Sequence, residues 1–111
     1  MNTAKVQTIL SAIDKADPIQ VSDMDCVREI TSHWTVEVKN DPNNQVLNLE
    51  WQDEDFQIFN VCFTEKSLSD AQIEENRIVL QDGDGTEFEI HLFNIVPAVI
   101  MPTNINLIDN V

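Results

Sequence analysis

Acidic residues outnumber basic ones by twenty to six in this chain, which gives it a formal net charge of −14 over 111 residues. An acidic chain stays disordered when it lacks apolar residues, because too little surface can be buried to offset the chain entropy. Here 42% of the residues are hydrophobic, a share close to that of ordinary globular domains. The composition therefore predicts a compact fold with a strongly negative surface.

The length predicts a single domain spanning residues 1–111. An amphipathic helix is expected over residues 3–16, because four apolar residues recur at the spacing of one helix face: Val6, Ile9, Leu10 and Ile13. Asp17-Pro18 ends this helix, since the residue before a proline avoids the α-helical region. We expect the apolar face of the helix to pack against a sheet.

The pattern of residues 19–93 is typical of β-structure. Residues 27–38, 45–51 and 56–64 are predicted strands, and the turn at 40–44 separates the first two. One parity of the first strand is expected to face the core: Ile30, Trp34, Val36 and Val38. Both faces of 56–64 are apolar, which predicts a central strand that is covered on each side.

The clearest local signal is a β-hairpin. Residues 77–81 and 86–93 flank the turn sequence Asp82-Gly83-Asp84-Gly85. Between residues 67 and 76, Ser69 followed by Gln72 resembles the start of a short helix. The predicted fold is α+β, with the N-terminal helix packed on an antiparallel sheet of about five or six strands. A small half-open β-barrel with one helix is the alternative.

The C-terminal segment 94–111 is apolar, but Pro97 and Pro102 exclude a continuous helix. We expect an extended segment that covers the sheet, pairs at its edge or contacts a second subunit. In the last case the protein is a homodimer, and five apolar residues are the candidate contacts: Ile95, Val96, Val99, Ile100 and Met101.

The sequence contains no motif of an enzyme, a cofactor site or a metal site. The two glycines of the chain, Gly83 and Gly85, do not form a P-loop, because neither is followed by Lys-Ser/Thr. A dinucleotide-binding fingerprint needs three glycines, or two and an alanine, and does not occur either. An EF-hand placed on Asp82 and Asp84 fails, because Leu80 and His91 fall at its two terminal ligand positions. We therefore predict a non-enzymatic protein with no catalytic residue, no cofactor and no metal.

The distribution of acids favours a binding function instead. Four acids surround Trp51 within residues 50–55. An aromatic anchor with a charged rim is typical of interface hot spots, and the charge speeds encounter with a basic partner. Trp51 shares its parity with Leu47 and Leu49, so burial in the core is the competing interpretation. We predict a protein-binding domain, of inhibitor or immunity type, that engages a basic protein surface through Glu50, Trp51, Asp53, Glu54, Asp55, Asp82, Asp84, Glu87 and Glu89.

Three other functions are compatible with the sequence. They are a structural protein that forms homo-oligomers through the apolar segment, a small-molecule carrier with a pocket between helix and sheet, and a DNA mimic whose carboxylate rows imitate phosphates. Direct binding to nucleic acid or membrane is not expected, because phosphate backbones and anionic lipids repel so acidic a chain. A cytoplasmic location is expected, since MNTAKVQTIL lacks the features of a signal peptide and Cys26 and Cys62 stand apart.

Overall fold

The computed structural model describes residues 1–23 and 26–93. The predicted extended segment 94–111, with the candidate contacts Ile95, Val96, Val99, Ile100 and Met101, lies outside the described residues. The described elements follow one another as α1 (Thr3–Lys15), β1 (Ile19–Ser22), β2 (Val27–Glu29), β3 (Ser32–Thr35), β4 (Gln45–Gln52), β5 (Ile58–Thr64), α2 (Glu65–Ser69), β6 (Gln72–Glu74), β7 (Arg77–Gln81) and β8 (Glu87–Leu92).

Helix α1 forms where the sequence predicts it. Asn2 caps its start, because the Asn2 Oδ1 accepts a hydrogen bond from the Lys5 N–H at 3.0 Å. The helix ends before Asp17-Pro18. The four residues of the predicted apolar face, Val6, Ile9, Leu10 and Ile13, are all buried, and Ala12 is buried with them.

The strands divide into two antiparallel sheets. The larger sheet has the order β2-β1-β8-β7-β6, and the smaller has the order β3-β4-β5. One buried cluster joins the inner faces of both sheets to α1 and to Leu68 of α2. The predicted α+β class, with an N-terminal helix and antiparallel strands, is therefore confirmed, and the two described sheets do not close into a barrel.

Residues 27–38 do not form one strand, because the chain changes sheet in the middle. The Ile30 N–H donates to a carbonyl of β1 at 2.9 Å, whereas the Thr31 N–H donates to a carbonyl of β4 at 2.8 Å. The alternation of inner and outer side chains restarts at this crossing. Trp34 and Val36 are consequently 44% and 42% exposed, so the expectation that they face the core was wrong. Ile30 and Val38 do pack against the core.

Strand β5 was expected at the centre of a sheet, but it lies at an edge of the smaller sheet as described. Among the described strands it pairs with β4 alone. Val61 and Phe63 on its inner face are buried, whereas Ile58 on the other face is exposed. Apolar residues on both faces therefore did not indicate cover on both sides, because one face is open.

The short helix α2 begins earlier than predicted. Thr64 is its cap, since the Thr64 Oγ1 accepts a hydrogen bond from the Ser67 N–H at 3.2 Å. Ser69 is the last helical residue, and Gln72 begins a strand instead of completing a capping box. No helix in the described part of the chain is long and apolar enough to cross a membrane.

The hairpin of β7 and β8 is confirmed, with Gln81 paired to Glu87 next to the turn. The alternation of β4 is confirmed as well, because Leu47 and Leu49 are both fully buried. These two regions hold most of the acids that the sequence analysis selected.

Candidate protein-binding site

The selected acids fall on two hairpins that belong to different sheets. Asp53, Glu54 and Asp55 form the turn between β4 and β5 in the smaller sheet. Asp82 and Asp84 form the turn between β7 and β8 in the larger sheet. The remaining residues of the set lie within the strands, Glu50 and Trp51 on β4 and Glu87 and Glu89 on β8.

Two of the strand acids already have partners inside the protein. Glu89 lies 3.4 Å from the Arg77 guanidinium and 3.6 Å from the His91 imidazole. The Glu50 carboxylate accepts a hydrogen bond from the Ser32 hydroxyl at 3.2 Å. These contacts occupy carboxylate oxygens that a basic partner would otherwise reach.

Trp51 is half-buried and does not stand out from the surface. Its ring stacks on Phe59, with 6.2 Å between the ring centroids and 18° between the planes. The two residues lie opposite each other on neighbouring strands, and Trp51 packs against the core. This position leaves only part of the indole ring for contact with another protein.

The two acidic turns share one hydrogen-bond pattern. The Asp53 Oδ1 accepts from the N–H groups of the second and fourth residues after it, at 2.9 Å each. The Asp82 Oδ1 accepts from the corresponding groups, also at 2.9 Å each. The Phe56 N–H also donates to the Asp53 carbonyl, and the Gly85 N–H donates to the Asp82 carbonyl, at 3.1 Å each. Residues 53–57 and 82–86 can therefore be compared position by position.

Phe56 and Gly85 occupy the same position in the two turns, counted from Asp53 and Asp82. Both have a positive φ, but the residue types differ. Gly85 has φ 82°, as expected for glycine, but Phe56 has φ 61°. A left-handed conformation costs a residue with a Cβ about 1–2 kcal/mol. The Phe56 side chain is 80% exposed, so burial does not offset this cost. The stability of the fold therefore does not explain why residue 56 is a phenylalanine. Backbone strain of this kind is concentrated at functional sites, so Phe56 is a candidate functional residue.

Apolar and acidic groups surround Phe56 together. Ile58 is 61% exposed and Phe59 is 42% exposed. Glu54 and Asp55 make no side-chain hydrogen bond or ion pair with another described residue. Residues 40–65 contain no lysine, arginine or histidine that would neutralise the tip from within this stretch. We call residues 53–58 the acidic aromatic tip.

Phe56 was missed in the sequence analysis, although a signal for it was present. Both turns carry the spacing Asp-x-Asp, at Asp53 and Asp55 and at Asp82 and Asp84. Aligning them places Phe56 on Gly85, which would have marked the phenylalanine as out of place in a turn. Trp51 was the predicted anchor, although the alternation of β4 already indicated its partial burial.

Glu65 is the only fully buried acid in the described part of the chain, and its role is structural. Its Oε2 accepts hydrogen bonds from the Lys39 N–H and the Asn44 side-chain amide, both at 2.8 Å. Burial alone would raise the pKa of this carboxyl, but these donors lower it below the ordinary value. The N–H groups of Asp41 and Asn40 also lower the pKa, although neither completes a hydrogen bond to Oε1. Glu65 thus holds the β3–β4 loop against the start of α2.

A cavity of about 280 Å³ opens between the two sheets behind the tip. Its walls include the rings of Trp51, Phe59 and Phe88, together with Arg28. The Arg28 side chain comes from β2, where the residue pairs with the buried Val21. Asp23 and Cys26 line the cavity as well, so a carboxylate accompanies the guanidinium and the lining does not select the sign of a ligand's charge.

The described residues contain no group of three or more histidine, cysteine or acidic side chains that could hold a metal ion. No family model, no curated protein and no solved structure matches this chain. The function must therefore be inferred from the geometry of the molecule.

Proposed function

We propose that this protein is a non-enzymatic binding domain that attaches to a basic protein through the acidic aromatic tip. Phe56 enters an apolar pocket of the partner, and Asp53, Glu54 and Asp55 meet basic residues around that pocket. The observation that carries the proposal is the left-handed, exposed Phe56, for which the homologous position of the second turn has glycine. Folding alone would favour glycine at both positions.

The charge of the molecule supports the same partner class. A net charge of −14 attracts a cationic surface over a distance of about 10 Å at 0.1 M salt and raises the rate of encounter. After encounter, an aromatic side chain that leaves water contributes most of the affinity at a typical interface. Charge therefore selects the partner, and Phe56 retains it.

The size, the acidity and the protruding tip agree with an inhibitor or immunity-type protein that neutralises a basic nuclease or another nucleic-acid-binding protein. This part of the proposal rests on analogy of size and charge. We place this function in the cytoplasm as part of the same proposal, because Cys26 and Cys62 are both free thiols.

Affinity capture with matched variants tests the tip. Proteins retained by the immobilised wild type are identified and then titrated against Phe56→Gly and against Asp84→Asn, which removes an acid from the other turn. We expect Phe56→Gly to weaken binding about 30-fold or more, since truncating a hot-spot residue costs about 2 kcal/mol or more. Asp84→Asn should bind nearly as the wild type does. Equal affinity of wild type and Phe56→Gly would reject the proposal.

Salt gives an independent readout of the charged rim. The association rate of the captured partner should fall between 0.05 and 0.5 M NaCl, because salt screens exposed charges (the Debye length shrinks to about 4 Å). The double variant Glu54→Gln, Asp55→Asn should show a smaller fall. A partner whose association rate ignores salt is held by something other than these carboxylates.

The cavity beside Arg28 favours a second candidate function, a carrier of small aromatic molecules, because three aromatic rings line it. The sequence analysis kept a carrier with a pocket between helix and sheet as an alternative function, and the cavity beside Arg28 lies between the two sheets. Its volume of about 280 Å³ falls just below the usual range of ligand sites, about 300–1,000 Å³, which ranks this function second. Anilinonaphthalene sulfonate is a suitable probe. Enhanced emission that Arg28→Gln abolishes, with the urea midpoint unchanged, would support a carrier.

DNA mimicry receives less support. An array of carboxylates must be free to imitate phosphates, and on β8 Glu89 is engaged by Arg77 and His91. Homo-oligomerisation through the segment 94–111 concerns residues outside the described ones.

A further inference from the structure

Strand β5 is the longest open edge in the described sheets. It runs over Ile58–Thr64, whereas the other edge strands, β2, β3 and β6, have three or four residues each. Residues 56–64 also contain no charged residue, no proline and no glycine. In the same molecule β2 carries Arg28 and Glu29, and β6 carries Glu74.

Natural proteins protect open edges, because every second N–H and C=O of an edge strand is available to another chain. Short length, charges and prolines are the usual protection. β2 and β6 have both short length and charge, and β3 is short. β5 has none of these devices, and Ile58 and Phe59 expose apolar surface beside its backbone. Among the described strands β5 is therefore the edge best suited to pair with another chain.

We propose that β5 pairs antiparallel with β5 of a second copy of this chain, which joins the two smaller sheets into one continuous sheet of six strands. The interface is isologous, so that the same strand contributes from both copies. This inference is independent of the proposed function, since it concerns the edge of β5 and not the side chain of Phe56.

The absence of charge along β5 is what allows a second copy of this chain to be the occupant. Two chains of net charge −14 repel each other over most of their surfaces. Pairing β5 with itself brings together only uncharged residues, so no carboxylate lies directly across from another. Antiparallel self-pairing centred on β2 would instead set Arg28 across from its own counterpart, and like charges across a strand pair are destabilising.

The antiparallel arrangement has a defined size and geometry. Each copy supplies one β5 edge, so the assembly closes at two chains and does not grow into a fibre. The two acidic aromatic tips lie at opposite ends of the joined sheet, because each tip directly precedes its own β5. A dimeric partner could then be held at two points, which raises the overall affinity without any new contact.

Molar mass in solution tests the proposal on the full chain. Sedimentation equilibrium is measured from low micromolar to millimolar protein in 0.5 M NaCl, where repulsion between copies is screened. We expect a limiting mass of twice the monomer value of 12.6 kDa. A monomer throughout this range, or species that keep growing beyond two chains, would overturn the proposal.

Two lysine variants locate the interface. Ile58→Lys and Asn60→Lys each place a cation on the edge strand, and the control Gln72→Lys places one on exposed β6. Both β5 variants should be monomeric at concentrations where the wild type and Gln72→Lys are dimeric. A dimer that survives both β5 substitutions uses another surface, which rejects the proposal.

Hydrogen exchange on the unmodified protein keeps the test independent of those substitutions. Backbone amides within residues 58–64 should exchange more slowly as the wild-type concentration rises through the dimerisation range. Amides of β6 should not respond to concentration. If the molar mass doubles but the exchange of residues 58–64 does not change with concentration, pairing through this strand is also rejected.

Discussion

Phe56 carries a conformational cost that its side chain does not recover within the described structure. Its φ of 61° is a value that glycine adopts freely and that a phenylalanine adopts at about 1–2 kcal/mol. Most of the ring is in water, so little apolar burial compensates. The cost is therefore borne in the free protein and is consistent with selection of Phe56 for contact with another molecule.

Replacing Phe56 by glycine should stabilise the protein. Relief of about 1–2 kcal/mol of strain exceeds the roughly 0.5–1 kcal/mol of chain entropy that glycine adds to the unfolded state. We expect a net gain of about 0.5–1 kcal/mol in the free energy of unfolding, measured by urea titration. A loss of stability would mean that the ring packs on the fold, and Phe56 would then have a structural role.

Glu65 illustrates the opposite case, a polar residue that the fold needs. Its carboxylate is fully buried, and two donors at 2.8 Å hold its Oε2. Because the pKa in the folded protein is lower than in the unfolded chain, the charged form stabilises the fold. That contribution is complete above the ordinary carboxyl pKa and is lost as the pH falls through the lower pKa of the folded state.

The variant Glu65→Gln should therefore be less stable than the wild type at pH 7 and should differ less from it in acid. The glutamine can keep one acceptor, but its NH₂ group would face the N–H groups of Asn40 and Asp41. Urea midpoints at pH 7, 5 and 3 measure the effect. Glu54→Gln on the exposed tip is the control and should behave as the wild type does. A difference that stays constant with pH would show that the Glu65 charge is not involved.

At the scale of elements, the β7–β8 turn shows what the backbone conformation of Phe56 looks like when glycine occupies the same position. Gly85 has φ 82°, and no atom lies within 4 Å of the position that a Cβ would take. An added side chain therefore meets a backbone cost and no steric one. At residue 56 the protein already has a side chain and bears that backbone cost, whereas at residue 85 glycine avoids it.

We expect Gly85→Ala to lower the free energy of unfolding by about 1 kcal/mol, from the left-handed conformation alone. Gly83→Ala is the matched control, because its surroundings are equally open and its φ is not in the left-handed range. It should be neutral or slightly stabilising. If both substitutions cost the same amount, the φ of residue 85 would not be the cause.

Elements with a regular alternation or a helical period could be predicted from the sequence, and the crossing between sheets could not. The helix α1 and the strands β4, β7 and β8 follow from periodicity, because each belongs to one layer throughout its length. Ile30 and Thr31 look like continuous strand, yet their N–H groups bond to different sheets. Nothing in the β-branched run of 27–38 indicates that change, so the inward side of Trp34 was assigned wrongly.

The candidate site was only partly accessible to sequence reasoning for a related reason. Acid clusters at 53–55 and 82–84 are visible in the sequence, and both form turns. The exposure of Phe56 depends on a turn geometry that hydrogen bonds from Asp53 determine. Residue types at neighbouring positions do not specify which of two aromatic residues, Trp51 or Phe56, faces water.

At the scale of the whole molecule, like charges dominate the electrostatics. Among the described residues the Lys and Arg ion pairs are Lys66 with Asp70 and Arg77 with Glu74 and Glu89. Exposed pairs of this kind contribute about 0–1 kcal/mol each. They leave most of the carboxylates unneutralised, so repulsion between acids should exceed attraction between pairs.

Salt should therefore stabilise the folded protein. Attractive pairs would weaken in salt, whereas repulsion among the remaining acids is relieved, and the second effect involves more groups. We expect the urea midpoint to rise between 20 and 300 mM NaCl at pH 7. The double variant Asp84→Asn, Glu87→Gln, which carries two fewer charges, should gain less. A midpoint that falls with salt would show that the ion pairs outweigh the repulsion.

The turn is closed by hydrogen bonds of Asp53 to backbone groups, so the side chains of Glu54, Asp55 and Phe56 are not needed to form it. These backbone groups are N–H groups, and any amino acid except proline supplies such a group. Positions 54, 55 and 56 can therefore change while the hairpin keeps its register. Under the proposed function, mutation during evolution or deliberate randomisation of these three codons would direct the tip to new targets on an unchanged scaffold.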